Sequence, residues 1–372
     1  MVGDASVGPL LMSTMLFRIV EVTLEAAATS GTVRFVSATL PVALCAPDKL
    51  RGSLTAAAAA AAMASGLRDA GFEPVELPLA DGGEGTLEAL LAACGGERRE
   101  TTVTGPDGGE VAAAWGLLED GTAVVELAQA SGLALVEGAN DPVTATTRGT
   151  GELIAAAARA GAARVVLGIG GSATVDGGLG ALEALGWTLP VPVTVACDVE
   201  TGFVEAAEVF APQKGATADE VAFLKRRLHD LALRYRRQTG IDVRALAGAG
   251  AAGGIAGGLA AFGARLRPGF DVVAEACRFH EHLAAATLVL TGEGRLDRTS
   301  LAGKVVGRVL TAAAETETRA GVIVGAVADG LGPLPGAPPV IALTRVAASV
   351  DEAFRNAAEL VRAAAARIGR GC

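Results

Sequence analysis

Four short stretches of this chain mix glycine with charged side chains. They read Pro47-Asp48-Lys49-Leu50-Arg51-Gly52-Ser53, Asp81-Gly82-Gly83-Glu84-Gly85-Thr86, Gly168-Ile169-Gly170-Gly171-Ser172-Ala173-Thr174-Val175-Asp176-Gly177-Gly178 and Thr291-Gly292-Glu293-Gly294-Arg295-Leu296-Asp297. Glycine lets backbone N–H groups approach an anion closely, and a helix starting just beyond adds a favourable dipole. The acids Asp81, Glu84, Asp176, Glu293 and Asp297 offer the oxygen ligands that Mg²⁺ takes. Any single turn of this kind could simply reverse the chain. Four of them point to phosphate handling.

Such turns need elements to hold them. Each follows a short apolar run and precedes a helical pattern: Val42–Ala46 then a helix to about Leu67, Val75–Leu79 then a helix to about Ala93. Arg164–Leu167 leads to a helix ending at Leu185, and Thr287–Leu290 to a helix beginning near Ser300. This alternation predicts parallel strands with crossover helices, and ligands of open α/β sheets gather beyond the carboxyl ends of such strands. Residues 98–129 break the rhythm: Arg99–Thr104, Glu110–Leu117 and Ala123–Leu127 are strand-like runs between Gly- and Asp-containing turns, an antiparallel meander. The expected fold is α/β with two α/β domains, a parallel sheet with crossover helices plus a mixed inserted domain, and a cleft between them. Residues 41–95 and 286–372 are expected to form the discontinuous domain and 96–285 the inserted one. Residues 1–40 carry no clear period and are expected to be a poorly ordered N-terminal extension.

Composition narrows the function. The chain has 372 residues, 50 of them glycine, without a collagen-like period. A net charge of −10 and 3% aromatics disfavour a nucleic-acid partner or an anionic membrane surface. The one basic run, Lys225-Arg226-Arg227 with Arg234-Tyr235-Arg236-Arg237, alternates with Leu224, Leu228 and Leu231 and reads as a solvated helix face. Five scattered cysteines without a CxxC spacing suit free thiols in a reducing cytoplasm, the expected location. No apolar stretch is long enough to span a bilayer, and the N-terminus lacks the basic start of a signal peptide.

Familiar signatures fail in informative ways. Gly303-Lys304 is followed by Val305, so no Walker-type loop is present. Gly168-x-Gly170-x-x-Ala173 is similar to a dinucleotide fingerprint, yet no acid stands about 20 residues on, which leaves an NAD enzyme as a weak alternative. No Gly-x-Ser-x-Gly elbow occurs, and the three histidines fall between 229 and 282, so a Ser-His-Asp hydrolase is disfavoured. His280-x-His282 alone is too little for a metal site.

Taken in order, the blocks resemble bacterial glycerate kinase of type I. The match runs from Ala46-Pro47-Asp48 through Gly52-Ser53-Leu54 to Ala80–Thr86, then Gly149-Thr150-Gly151-Glu152-Leu153-Ile154 and Gly168–Gly178. It continues through Ala196-Cys197-Asp198-Val199, Pro212-Gln213-Lys214-Gly215-Ala216, Gly248–Gly254 and Thr291–Arg295 with Asp297. The resemblance covers roughly 42–345 and implies a two-domain kinase that uses ATP and Mg²⁺ to phosphorylate D-glycerate in an interdomain cleft. It leans to 2-phosphoglycerate as product. Three departures stand out: Asp48-Lys49-Leu50-Arg51 replaces the usual Ser-Phe-Lys or Lys-Phe-Lys after the Asp, Glu200-Thr201-Gly202-Phe203 replaces the loop usual after Cys-Asp-Val, and residues 1–40 have no counterpart in the family.

Against that resemblance, Arg51, Lys214 and Arg295 are the expected cations for a small carboxylate, with Asp198 or Asp176 as the base. Gly82, Gly83, Gly85, Thr86, Gly170, Gly171 and Ser172 are the expected phosphate cradle, and Asp81, Glu84 and Asp297 the metal ligands. The partner is a small-molecule substrate, with a homo-oligomer left open. The alternatives are a glycerate 3-kinase, a kinase of another small sugar acid, or a non-catalytic ligand-binding relative.

Overall fold

Short apolar runs become strands here because both of their faces find helices to cover them. The computed structural model describes residues 39–371, so the expected extension lies outside the described residues but for Thr39 and Leu40. In chain order the strands are β1 Val42–Cys45, β2 Glu73–Glu76, β3 Glu97–Thr104, β4 Glu110–Leu117, β5 Thr122–Glu126, β6 Arg164–Gly168 and β7 Val193–Ala196. They continue as β8 Arg265–Arg267, β9 Leu288–Thr291, β10 Arg295–Leu296, β11 Arg319–Val324, β12 Ala326–Val327 and β13 Val340–Ala342.

One sheet is fully parallel, in the order β13-β11-β9-β1-β2. Ala43 and Cys45 of β1 face Met63 and Val361 on the helices Ala56–Arg68 and Ala357–Arg370, while Leu44 and Ala46 face Leu90, Phe270 and Val309. Those two helices approach closely through Gly66, where a Cβ would stand 2.1 Å from the Arg362 carbonyl. The second sheet runs β3-β4-β5-β6-β7-β8, antiparallel across the first three strands and parallel from β5 onward. The meander is therefore not a separate hairpin; it feeds a parallel sheet. Val125, Leu167 and Val195 bury against Ile154, Leu228 and Leu259, and Ala114 and Val124 share a core with Leu87 and Leu90 of the helix Thr86–Cys94. A fully buried leucine contributes about 1.5–3 kcal/mol, so that shared core binds the two sheets firmly.

Two local expectations shift. The helix expected near Ser300 is there only as a short 3-10 helix, Arg298–Leu301, and the α-helix runs over Val305–Glu315. Asp297 and Ser300 cap each other reciprocally and close the first turn, and Gly303 then adopts φ +93°. The basic helix, Ala218–Thr239, buries Leu224, Leu228 and Leu231 as expected, but its run is not wholly solvated. Arg227 donates to the carbonyls of Val143 and Val175, and the buried Tyr235 hydroxyl donates to the Gly177 carbonyl. Among the described residues, no helix is long and apolar enough to cross a membrane.

Candidate active site

The strand ends of both sheets border one cleft of about 740 Å³. Small-molecule sites occupy roughly 300–1,000 Å³, so the volume suits a compact ligand. Arg51, Asp81, Gly82, Gly83 and Lys304 line it from one side, and Gly170, Gly171, Ser172, Asp198 and Lys214 from the other.

The floor is made where glycine turns touch backbone to backbone. Gly82 has φ +83°, and a Cβ there would stand 2.6 Å from Ala196 Cβ. A Cβ on Gly168 would reach 2.8 Å from the Gly82 carbonyl oxygen, and one on Gly170 would lie 3.0 Å from Gly83 Cα. Side chains at these positions would force the turns apart. Gly82, Gly170 and Gly171 line the cleft, and their N–H groups have no protein acceptor among the described residues, the condition under which a backbone amide is open to an anion.

The cations differ in kind. Arg51 and Lys304 are exposed at the rim. Lys214 is only 6% exposed, and its Nζ donates to Ser172 Oγ at 2.6 Å and the Thr174 carbonyl at 2.8 Å. Burial pushes its pKa down to about 7, with the charge of Asp176 opposing the shift. Its backbone is pinned by Asn140, whose Nδ2 donates to the Lys214 carbonyl at 2.8 Å.

Asp198 follows β7 and accepts from Gly269 N at 2.7 Å, at the start of the helix Gly269–Ala276. Loss of solvent pushes it up to about 6, helped by the like charges of Asp81 and Asp271 and opposed by that hydrogen bond and Arg308. The unusual loop after it is well anchored: Phe203 is fully buried against Tyr235, and Gly250 N donates to the Thr201 carbonyl. Asp81 accepts from Gly83 N at 3.2 Å.

Other expected residues fall elsewhere. Asp176 is buried outside the cleft lining, and its carboxylate accepts from Thr147 N and Oγ1, Gly178 N and Gly180 N. Three of these bonds fall on Oδ2 and one on Oδ1, so the carboxylate holds the turn together from outside the cleft lining. Asp297 accepts from Thr299 N and Oγ1 and from Ser300 N, and Glu84 is an exposed partner of Lys49. Asp81, Glu84 and Asp297 thus do not converge, and no trio of His, Cys, Asp or Glu able to hold a metal occurs among the described residues. Gly85 N is taken by Glu126, and Thr86 is fully buried with its hydroxyl donating to the Gly83 carbonyl. Arg295 is exposed and lies outside the lining. Arg295→Ala is therefore expected to keep steady-state kinetics within about twofold of wild type, as surface charges contribute little. A large rise in KM would return it to the site.

Lys304 and Asp48 escaped the sequence reading as site residues, and Glu293 entered it only as one of the acids able to offer Mg²⁺ an oxygen ligand. Lys304 precedes the helix Val305–Glu315 and lines the cleft; its Gly-Lys pair was tested only against the Walker pattern. Asp48 and Glu293 lie at the ends of neighbouring strands, where burial first, then the like charges of Asp81 and Asp48 respectively, push them up to about 6 and about 7. Glu293 Oε1 is buried with no hydrogen-bond partner among the described residues.

The chain is similar to known proteins along most of its length. The model of the glycerate kinase family matches residues 43–191 and 188–372. The glycerate 2-kinase of Escherichia coli (strain K12) is 39% identical over 353 residues, covering 84% of this chain and 93% of that protein. The glycerate kinase of Bacillus subtilis (strain 168) is 39% identical over 355 residues, with the same coverages of 84% and 93%. A crystal structure from Salmonella typhimurium LT2, of a provisionally named glycerate kinase 2, superposes with a TM-score of 0.79 at 35% identity. That similarity covers 90% of this chain and 98% of the other. By sequence and by fold, the chain belongs to the glycerate kinase family and is an enzyme of the kinase class.

Proposed function

We propose that this enzyme transfers the γ-phosphoryl group of ATP to the 2-hydroxyl of D-glycerate. The observation that carries the reading is the meeting of two glycine turns beside Lys214 and Asp198. It places free amides, a buried cation and a carboxylate around one small cleft. The E. coli relative's name supports the 2-hydroxyl as acceptor.

Each residue has a definite task in this mechanism. Arg51 pairs with the glycerate carboxylate, for which a guanidinium is suited by its fork of donors. The amides of Gly82, Gly170 and Gly171 and the Lys214 ammonium hold phosphate oxygens, lowering the charge that an attacking oxygen must approach. Asp198 accepts the hydroxyl proton as the new O–P bond forms and the bond to the ADP oxygen breaks. Mg²⁺ carried on nucleotide phosphates needs only one or two protein carboxylates, a demand Asp81 fits. When bound, that ion neutralises charge on the phosphate oxygens.

The test is ADP release from Mg·ATP with D-glycerate, L-glycerate and glycolate offered separately. Turnover with D-glycerate, and a product that enolase consumes without added mutase, is the expected result. Product consumed only after mutase is added would assign the 3-hydroxyl. No ADP with any of the acids would sink the kinase reading of this site.

A further inference from the structure

We infer that Glu126, the last residue of β5, is a positioning residue that latches the Asp81–Thr86 turn to the turn that begins at Gly168. The inference rests on reading that cleft as the phosphoryl-transfer site. Glu126 is 4% exposed, yet it does not line the cleft. Its Oε1 accepts from Gly85 N at 2.8 Å and from Leu87 N at 2.9 Å.

The need for such a contact comes from the helix Thr86–Cys94. A helix leaves its first N–H groups without internal partners, and the residue just before it usually supplies a side-chain cap. Here that residue is Gly85, at φ +96° and with no side chain to offer. The acceptor comes instead from 41 positions away, in the other sheet. A carboxylate at this place both satisfies the donors and opposes the positive end of the helix dipole.

The contact then propagates in two directions. Thr86 Oγ1 donates to the Gly83 carbonyl at 2.7 Å, and Gly83 N donates to Asp81, so the Glu126-held helix start carries the Asp81–Gly83 turn with it. On the other side, Leu127 N donates to the Gly168 carbonyl at 2.8 Å, where the second turn begins. Two consecutive residues therefore set the two turns against each other, one through its side chain and one through its backbone. The same bonds explain why Gly85 and Leu87 are not phosphate donors: their anion is already built in.

The test uses Glu126→Ala, Glu126→Asp and Glu126→Gln in the full chain, read by amide hydrogen exchange, kcat, KM and thermal unfolding. Loss of the latch is expected to speed exchange across residues 82–90 at least tenfold in the Ala variant while distant strands keep their protection. Misplacement of a turn by about 1 Å costs up to roughly 10²-fold in rate, so kcat is expected to fall about 10- to 100-fold. Asp keeps the charge but is one methylene short and should behave like Ala. Gln keeps an oxygen that accepts both N–H groups and should restore kcat to within about fivefold of wild type. Unchanged kcat in folded Asp and Ala variants, or exchange that rises uniformly with falling stability, would show an ordinary packing role and overturn the inference. Should the Ala chain fail to fold, the Asp and Gln variants decide it. No turnover in the wild-type chain would sink the kinase reading instead, and exchange at residues 82–90 would still judge the latch.

Discussion

Asp198→Asn is expected to lower kcat by about 10²–10⁴-fold, the usual contribution of a positioned general base. The substitution is nearly isosteric, and the Asn side-chain oxygen can still accept from Gly269 N, so the helix start beneath it keeps its partner. What is lost is the proton acceptor. In the wild-type enzyme, kcat/KM should fall on the acid side as pH drops through about 6, where the Asp198 carboxylate takes up its proton. The residual activity of the variant should lack that limb. A variant that keeps both kcat and the limb would remove Asp198 as the base.

The same substitution has a stability signature of known sign. Burial and the like charges of Asp81 and Asp271 raise the folded-state pKa of Asp198 above its ordinary value of about 3.9. Above both values the ionised carboxylate opposes folding; as pH falls from about 6 to about 4, that opposition disappears. Asp198→Asn should therefore unfold at a higher temperature than wild type at pH 8, and the gap should close at pH 4. Loss of turnover combined with that pattern separates a chemical role from a damaged fold.

Much of the scaffold was legible because its signals are local. Val42–Cys45 and Arg164–Gly168 are apolar runs bounded by glycine turns, and each proved to be a parallel strand with its turn at the carboxyl end. The antiparallel meander was legible for the same reason, through its Gly- and Asp-containing reversals. The difference between Asp176 and Asp198 was not. Both follow strands and glycines or small residues, but Thr147 engages one from 29 positions away, while the other opens onto the cleft. Glu126 was hidden for a related reason: an acid ending a strand looks like a solvated residue until the donor pair it meets is known. Lys304 and Arg51 stand far apart in the chain and converge only because β9 and β1 are neighbours in the sheet. Motif reading finds the turns; which of their atoms remain unengaged is a property of tertiary contacts.

Lys214→Met is expected to cut kcat by about 10²–10³-fold while leaving the fold at neutral pH at least as stable. The ammonium is buried and, among the described residues, donates to two neutral acceptors, Ser172 Oγ and the Thr174 carbonyl, so ionisation there works against folding. Its folded-state pKa, pushed down to about 7, lies below the ordinary value of about 10.4, so the unfolded chain binds more protons between those limits. Wild-type stability should accordingly gain up to about 1.4 kcal/mol per pH unit from this residue between pH 7 and 10, a slope that the Met variant lacks. A thioether of similar length fills the space without a charge to desolvate. For the reaction the sign reverses: phosphate oxygens need the protonated amine, so kcat/KM should decline above about pH 7, giving a bell with Asp198 on its acid side. An anion entering the cleft supplies the charge that the fold withholds, and it should draw a proton onto Lys214 as it binds. Titration calorimetry in buffers of different ionisation enthalpy at pH 8 should therefore show proton uptake with Mg·ATP in the wild type and none in Lys214→Met. Equal uptake in both, or wild-type turnover in the variant, would remove Lys214 from the phosphate site.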